Sequence, residues 1–147
     1  MAGQTRSVHK KNRSNIFWYM QKTIADNEMG LKLPIQFRVA NLESGMPTIE
    51  QARTRLIQEL QNARRDRVTL LKLIHGYGSR GVGGALKISI LGSLARFKMS
   101  GEIRDFISGE EWKIANQTTW ELLKQHPHLK GDSDLGRANK GITIVLL

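Results

Sequence analysis

An apolar run, Val68-Thr-Leu-Leu-Lys-Leu-Ile74, leads straight into His75-Gly-Tyr-Gly-Ser-Arg-Gly-Val-Gly-Gly84, and a helical pattern from Ala85 to Met99 follows. Strand, glycine loop and helix in that order restrict the possible folds more than any other feature of the chain. Five of the ten loop residues are glycine, which frees the backbone for φ > 0 and leaves its N–H groups uncovered. At a helix N-terminus those N–H groups and the positive end of the dipole make an anion site. The glycines of that site are Gly76, Gly78, Gly81, Gly83 and Gly84. Arg80 at the crest and Lys87 in the first helical turn supply cations, and His75, the first residue past the strand, supplies a titratable ring. A plain tight turn is the alternative reading. Connections of this kind commonly take about 2–6 residues, so the surplus of glycine favours a phosphate-bearing ligand.

The flanking sequence frames that stretch as part of an α/β domain. Ile35 to Leu42 alternates as a strand, with Ile35, Phe37 and Val39 on one face. Pro47 precedes Thr48-Ile-Glu-Gln51, a capping-box signature. The helix it opens carries Ile49, Ala52, Leu56, Leu60 and Ala63 as one apolar stripe, with Arg53, Arg64 and Arg65 off it. Strand, helix and strand within about 40 residues form a βαβ unit. In the second helix Leu86, Ile90, Leu94 and Phe97 make the buried stripe, and Ser100-Gly101 stops it. Ile103 to Ile107 reads as a third strand. Ile142-Thr-Ile-Val-Leu-Leu147 reads as a fourth, too apolar to be anything but central or covered. The expected fold is a compact four-stranded mixed or largely parallel sheet with two main helices. Residues 108–141 read as irregular, with one short helix near Thr119 to Gln125 that Pro127 ends. That segment carries Trp112, Trp120, His126 and His128, and the reading favoured for it is a covering for the sheet.

Charge decides the class of partner. The 147 residues carry a formal net charge of +10, which points to nucleic acid, RNA or DNA, or to the ribosome. Residues 1–33 form a basic N-terminal arm, polar through residue 13 and then a short helix bearing Phe17, Trp18 and Tyr19; residues 34–147 form the domain proper. Cysteine is absent, so disulfides and thiolate chemistry are excluded and a reducing, cytoplasmic setting is expected. No apolar run is long enough to span a membrane. No Cys/His spacing suits a metal site, and His126-Pro-His128 is too lean for one; no cofactor is expected.

Gly76-Tyr-Gly-Ser-Arg-Gly81 also satisfies the letters of the dinucleotide fingerprint, but that fold needs more strands than this chain has. The Walker pattern fails, because Gly83-Gly84 stands where Gly-Lys-Ser/Thr is required. The residues do resemble the Smr (small MutS-related) domain. The loop His75-Gly-Tyr-Gly-Ser-Arg-Gly is similar to its HGxG-type motif, and Gly141-Ile-Thr-Ile-Val-Leu-Leu147 to its terminal strand, over roughly residues 35 to 147. The resemblance implies a sheet-and-two-helix sandwich like the C-terminal domain of a bacterial translation initiation factor. It also implies nucleic-acid binding and, in many members, endonuclease activity on DNA or on messenger RNA at stalled ribosomes, with DNA repair among the associated roles. One departure is plain. The family's Leu-Asp-Leu-His-Gly motif at the first strand is replaced by Val39-Ala-Asn-Leu-Glu-Ser-Gly45, leaving Asn41 and Glu43 as the polar stand-ins. In a cleaving enzyme His75 and Glu43 would be the catalytic groups, with Arg80 neutralising the phosphorane-like charge. A binding module without catalysis is the competing class. A binder of small phosphate ligands is a third, disfavoured by the charge.

Overall fold

The computed structural model describes residues 36–77 and 83–147. The basic arm and its aromatic helix lie outside the described residues. Four strands, β1 (Phe37–Asn41), β2 (Leu70–Ile74), β3 (Asp105–Ser108) and β4 (Ile142–Leu146), form one sheet in the order β1-β2-β4-β3. β1 runs parallel to β2, and β4 is antiparallel to both β2 and β3. The sheet is therefore mixed, with one parallel pair, rather than largely parallel. The terminal strand, expected to be central or covered, is central, and all five of its residues are buried. The helices are α1 (Ile49–Arg65), α2 (Gly83–Met99) and a shorter α3 (Gln117–Gln125), with a 3₁₀ turn at Pro127–Gly131. Among the described residues no helix is long and apolar enough to cross a membrane.

Local chemistry sets the helix boundaries. Thr48 Oγ1 accepts from the Gln51 amide at 3.1 Å while the Gln51 side chain accepts from the Thr48 amide at 2.9 Å. That reciprocal pair satisfies two of the N–H groups a helix start leaves without partners. Asn116 caps α3 from one side only, its side-chain oxygen accepting from the Thr119 amide at 3.0 Å, and Pro127 follows its end.

The two faces of the sheet are covered by different material. On one face Ala40, Leu71, Leu73 and Val145 pack with Ala52, Leu56, Leu60 and Ala63 of α1 and Leu86, Ile90 and Leu94 of α2. Both long helices lie on that face. On the other, Leu70, Ile107, Ile142, Ile144 and Leu146 pack with Trp112, Leu122, Leu123 and Leu129. The 108–141 segment thus covers the sheet, as expected, and forms the second of the two layers packed on it. Two apolar residues depart from their expected burial. Val39 is 52% exposed, because β1 is an edge strand and the covering segment does not reach its outer side. Ile49 is 37% exposed, because the first turn of α1 projects past the strand ends beside an open cleft. Of the other outliers, Ile35 lies outside the described residues and Phe97 is only partly buried.

A buried ionic cluster ties the second layer down. Lys72, in the middle of β2, is 5% exposed. Its ammonium pairs with Asp132 at 2.9 Å and with Asp134. Asp132 also accepts from the Trp112 indole N–H at 3.1 Å. Asp134 accepts from the Asn139 amide at 2.8 Å, and the Asn139 oxygen accepts from the Gly141 N–H at 2.9 Å. Burial alone would lower the Lys72 pKa, but the hydrogen bonds to Asp134 and Asp132 outweigh it and hold it above the ordinary lysine value. Lys72 therefore stays charged.

Candidate nucleic-acid interface

The site lies at the C-terminal ends of β1 and β2, where three chain segments converge. β1 ends in a turn in which Asn41 Oδ1 accepts from the amides of Glu43 and Ser44, both at 3.0 Å. β2 ends at Ile74 and leads into His75, whose amide donates to the Gly141 carbonyl at 2.9 Å; the Gly76 amide donates to the same oxygen at 3.0 Å. This double bond clamps the start of the glycine loop to the start of β4. Gly76 takes φ +69°, a left-handed conformation that favours glycine. A Cβ there would also stand 2.1 Å from Glu43 Oε2, so the carboxylate lies directly against the glycine.

His75 is fully buried. Its Nδ1 donates to the Gly76 carbonyl at 2.7 Å, which leaves Nε2, in the neutral ring, to accept from the Thr143 hydroxyl at 2.8 Å. Burial is the main reason its pKa lies below the ordinary imidazole value. Lys87 pushes in the same direction, against the Gly76 carbonyl, Glu43 and Glu110. His75 is thus a neutral, fully bonded brace between the loop and β4 and presents neither nitrogen to solvent.

The remaining loop residues divide by position. Gly83 and Gly84 form the first turn of α2, as a phosphate-binding start would require. Gly78, Arg80 and Gly81 lie outside the described residues. Lys87 does not face outward alone: its ammonium pairs with Glu110 at 2.8 Å. That hydrogen bond is the chief reason the Glu110 carboxyl lies below its ordinary range. Glu43 accepts no hydrogen bond or ion pair on its carboxylate from the described residues.

Between these segments opens a cleft of about 640 Å³. Its walls carry the carboxylates of Glu43 and Asp134 and the amides of Asn41 and Asn139, with Met46, Ile49 and Tyr77 at its mouth. No lysine or arginine lines it among the described residues. Arg137 and Lys140 are exposed in the turn from Asp134 to Gly141, which carries the wall residues Asp134 and Asn139; the Asp134 carboxyl, held below its ordinary range chiefly by the Asn139 amide and Lys72, also feels the Arg137 charge. That turn was missed by sequence reasoning. Its signal was present: a lone lysine inside an apolar strand requires buried acids, and Asp132-Ser-Asp134 supplies them. Among the described residues no three His, Asp or Glu side chains gather as a metal site.

These elements define a class: a small α/β domain whose strand-to-helix glycine loop is braced by a buried histidine. A solved structure, the Smr domain of Thermus thermophilus MutS2, is similar to this chain at 23% identity, over 75% of this chain and 96% of that one, with a TM-score of 0.47. A likeness of that size carries no statement about activity. No family model and no curated protein matches the chain.

Proposed function

We propose that this is an Smr-like nucleic-acid-binding domain that holds phosphate at its glycine loop. Gly78, Gly81, Gly83 and Gly84 offer backbone N–H groups there, while Gly76, whose own N–H is spent on the Gly141 carbonyl, makes the left-handed turn that opens the loop; Arg80 and Lys87 offer charge. The observation that carries the reading is the brace. His75 of the loop motif and Thr143 of the terminal Gly-x-Thr strand, 68 residues apart, meet at 2.8 Å. The two stretches that resemble the Smr domain thus form one unit, fixed where the backbone must be held for an anion. The net charge of +10, with Arg137 and Lys140 beside the cleft, favours a polyanion over a small phosphate ligand.

The test is affinity for labelled RNA and DNA, and for ribosomes, across a salt series. The logarithm of the affinity should fall linearly with log salt, by about 0.7–0.9 per phosphate contacted. Arg80→Ala should flatten the slope by about one. Affinity indifferent to salt and to Arg80→Ala would sink the reading.

A second reading, phosphodiester cleavage, is favoured by one observation: the Glu43 carboxylate, without a hydrogen-bond or ion-pair partner among the described residues, lies against Gly76 beside His75. It requires His75 to release Thr143 or Gly76 before the ring can touch substrate, so binding without cleavage is the primary reading. Incubation of labelled RNA and DNA with the protein, with and without EDTA, should leave the strands intact. Cleavage that is lost in His75→Ala, or that rises when Asn41→Asp and Glu43→His are combined, would reverse that order.

A further inference from the structure

The cleft beside the loop does not suit phosphate. Its walls hold two carboxylates, a neutral histidine and no cation among the described residues, so an anion entering it would meet repulsion in a partly desolvated site. What the cleft offers is acceptors and apolar area. Asp134 is occupied by Lys72 and Asn139. Asn41 and Asn139 spend their oxygens on backbone N–H groups. That leaves Glu43 as the wall carboxylate without a hydrogen-bond or ion-pair partner among the described residues. Facing the same space, Tyr77 is 56% exposed and Met46 78% exposed. Exposed aromatic and thioether groups around an unused acceptor form a surface for something flat that donates hydrogen bonds.

We infer that the cleft receives one unstacked nucleobase from a single strand, with Tyr77 stacking on it and Glu43 accepting from its N–H groups, while the phosphates stay outside the cleft, towards Arg137 and Lys140. The inference rests on the nucleic-acid reading above and adds the form of the substrate to it. A carboxylate has two acceptor oxygens and no donor. It pairs best with guanine, whose N1–H and exocyclic amino group donate side by side, and it gains nothing from uracil's carbonyl oxygens. A cleft of about 640 Å³ accommodates a purine. A base held in a duplex cannot reach it without leaving the stack, which costs a few kcal/mol.

The experiment measures binding of the full chain to uridine (or thymidine) 12-mers carrying one central guanine, inosine or no replacement, and to a duplex of equal length. Guanine should tighten binding roughly tenfold over the unreplaced strand, with inosine, lacking the amino group, in between. Glu43→Gln should erase the guanine preference, because its amide presents one acceptor and a repelling donor. Tyr77→Ala should lower the ratio of single-strand to duplex affinity roughly tenfold. Both residues are exposed, so neither change threatens folding. If the strands bind with equal affinity whatever the central base, and Tyr77→Ala leaves the single-strand to duplex ratio alone, the inference is overturned while the nucleic-acid reading stands. Failure to bind any strand or duplex would overturn both.

Discussion

The two faces of the sheet are closed by different physics. The helix face is apolar through its centre, with Leu56, Leu73, Ile90 and Leu94 at zero exposure. Its closure follows from stripes at spacings of three and four on two long amphipathic helices. The opposite face has a short helix, a 3₁₀ turn and irregular chain. A covering with so little regular structure is held by specific bonds: Lys72 to Asp132 and Asp134, and Trp112 to Asp132. Apolar burial is forgiving of shape, whereas a buried ion pair is costly unless both partners are in place. The irregular layer is therefore positioned by polar residues. It ends in the turn that places Arg137, Asn139 and Lys140 beside the cleft, so stability on this face and geometry at the site are coupled.

The largest test of that contrast is Lys72→Met. It leaves Asp132 and Asp134 buried without their cation and should cost about 3–5 kcal/mol in chemical denaturation. Leu73→Ala, one residue along on the helix face, should cost about 2–5 kcal/mol by leaving a cavity. The two should differ in hydrogen exchange: Lys72→Met should release residues 109–140 first, Leu73→Ala the whole domain together. Identical exchange patterns would break the comparison.

Gly109→Ala comes next. A Cβ there would lie 1.7 Å from the Asn139 carbonyl oxygen, and since that obstacle is backbone, the covering turn must move. The expected loss is about 3 kcal/mol, accompanied by weaker nucleic-acid binding. An unchanged midpoint would show that the turn is not packed against the end of β3.

His75→Gln should cost about 1–3 kcal/mol, because one brace between the loop and β4 is lost. Its pH dependence is the sharper measurement. The fold holds His75 neutral, with its pKa lowered chiefly by burial, so below about pH 6.5 the unfolded chain binds a proton that the folded chain resists. That contribution is complete above about pH 6.5 and is lost as the pH falls beneath it. Thermal midpoints measured from about pH 7 to pH 5 should therefore drop more in the wild type than in His75→Gln. Parallel curves would show that His75 titrates as freely as in the unfolded chain.

The smallest effect belongs to Asn41→Asp. Its Oδ1 accepts two backbone N–H groups at 3.0 Å, and a carboxylate accepts them equally well, so stability should move by no more than about 0.5 kcal/mol. A larger loss would mean that the Asn41 amide donates a bond the turn requires.

The sequence by itself determined the strand, loop and helix order, the capping box at Thr48, the paired apolar stripes and the central place of the terminal strand. Each is a local signal, carried by spacing within one element or by the composition of one run. It also put His75 and the Gly-x-Thr strand on the list of residues that matter. What they do for each other was decided by tertiary structure, because the hydrogen bond between His75 and Thr143 exists only once β2 and β4 are neighbours. The same holds for Lys72, which in the sequence is an anomaly inside a strand and in the fold is the anchor of a layer. Ile49 fits an apolar stripe and Tyr77 belongs to the glycine loop, yet both stand at the mouth of a cleft whose walls come from three distant segments. Periodicity reports which way a side chain faces along its own element; what occupies the space opposite depends on contacts between segments far apart in the chain.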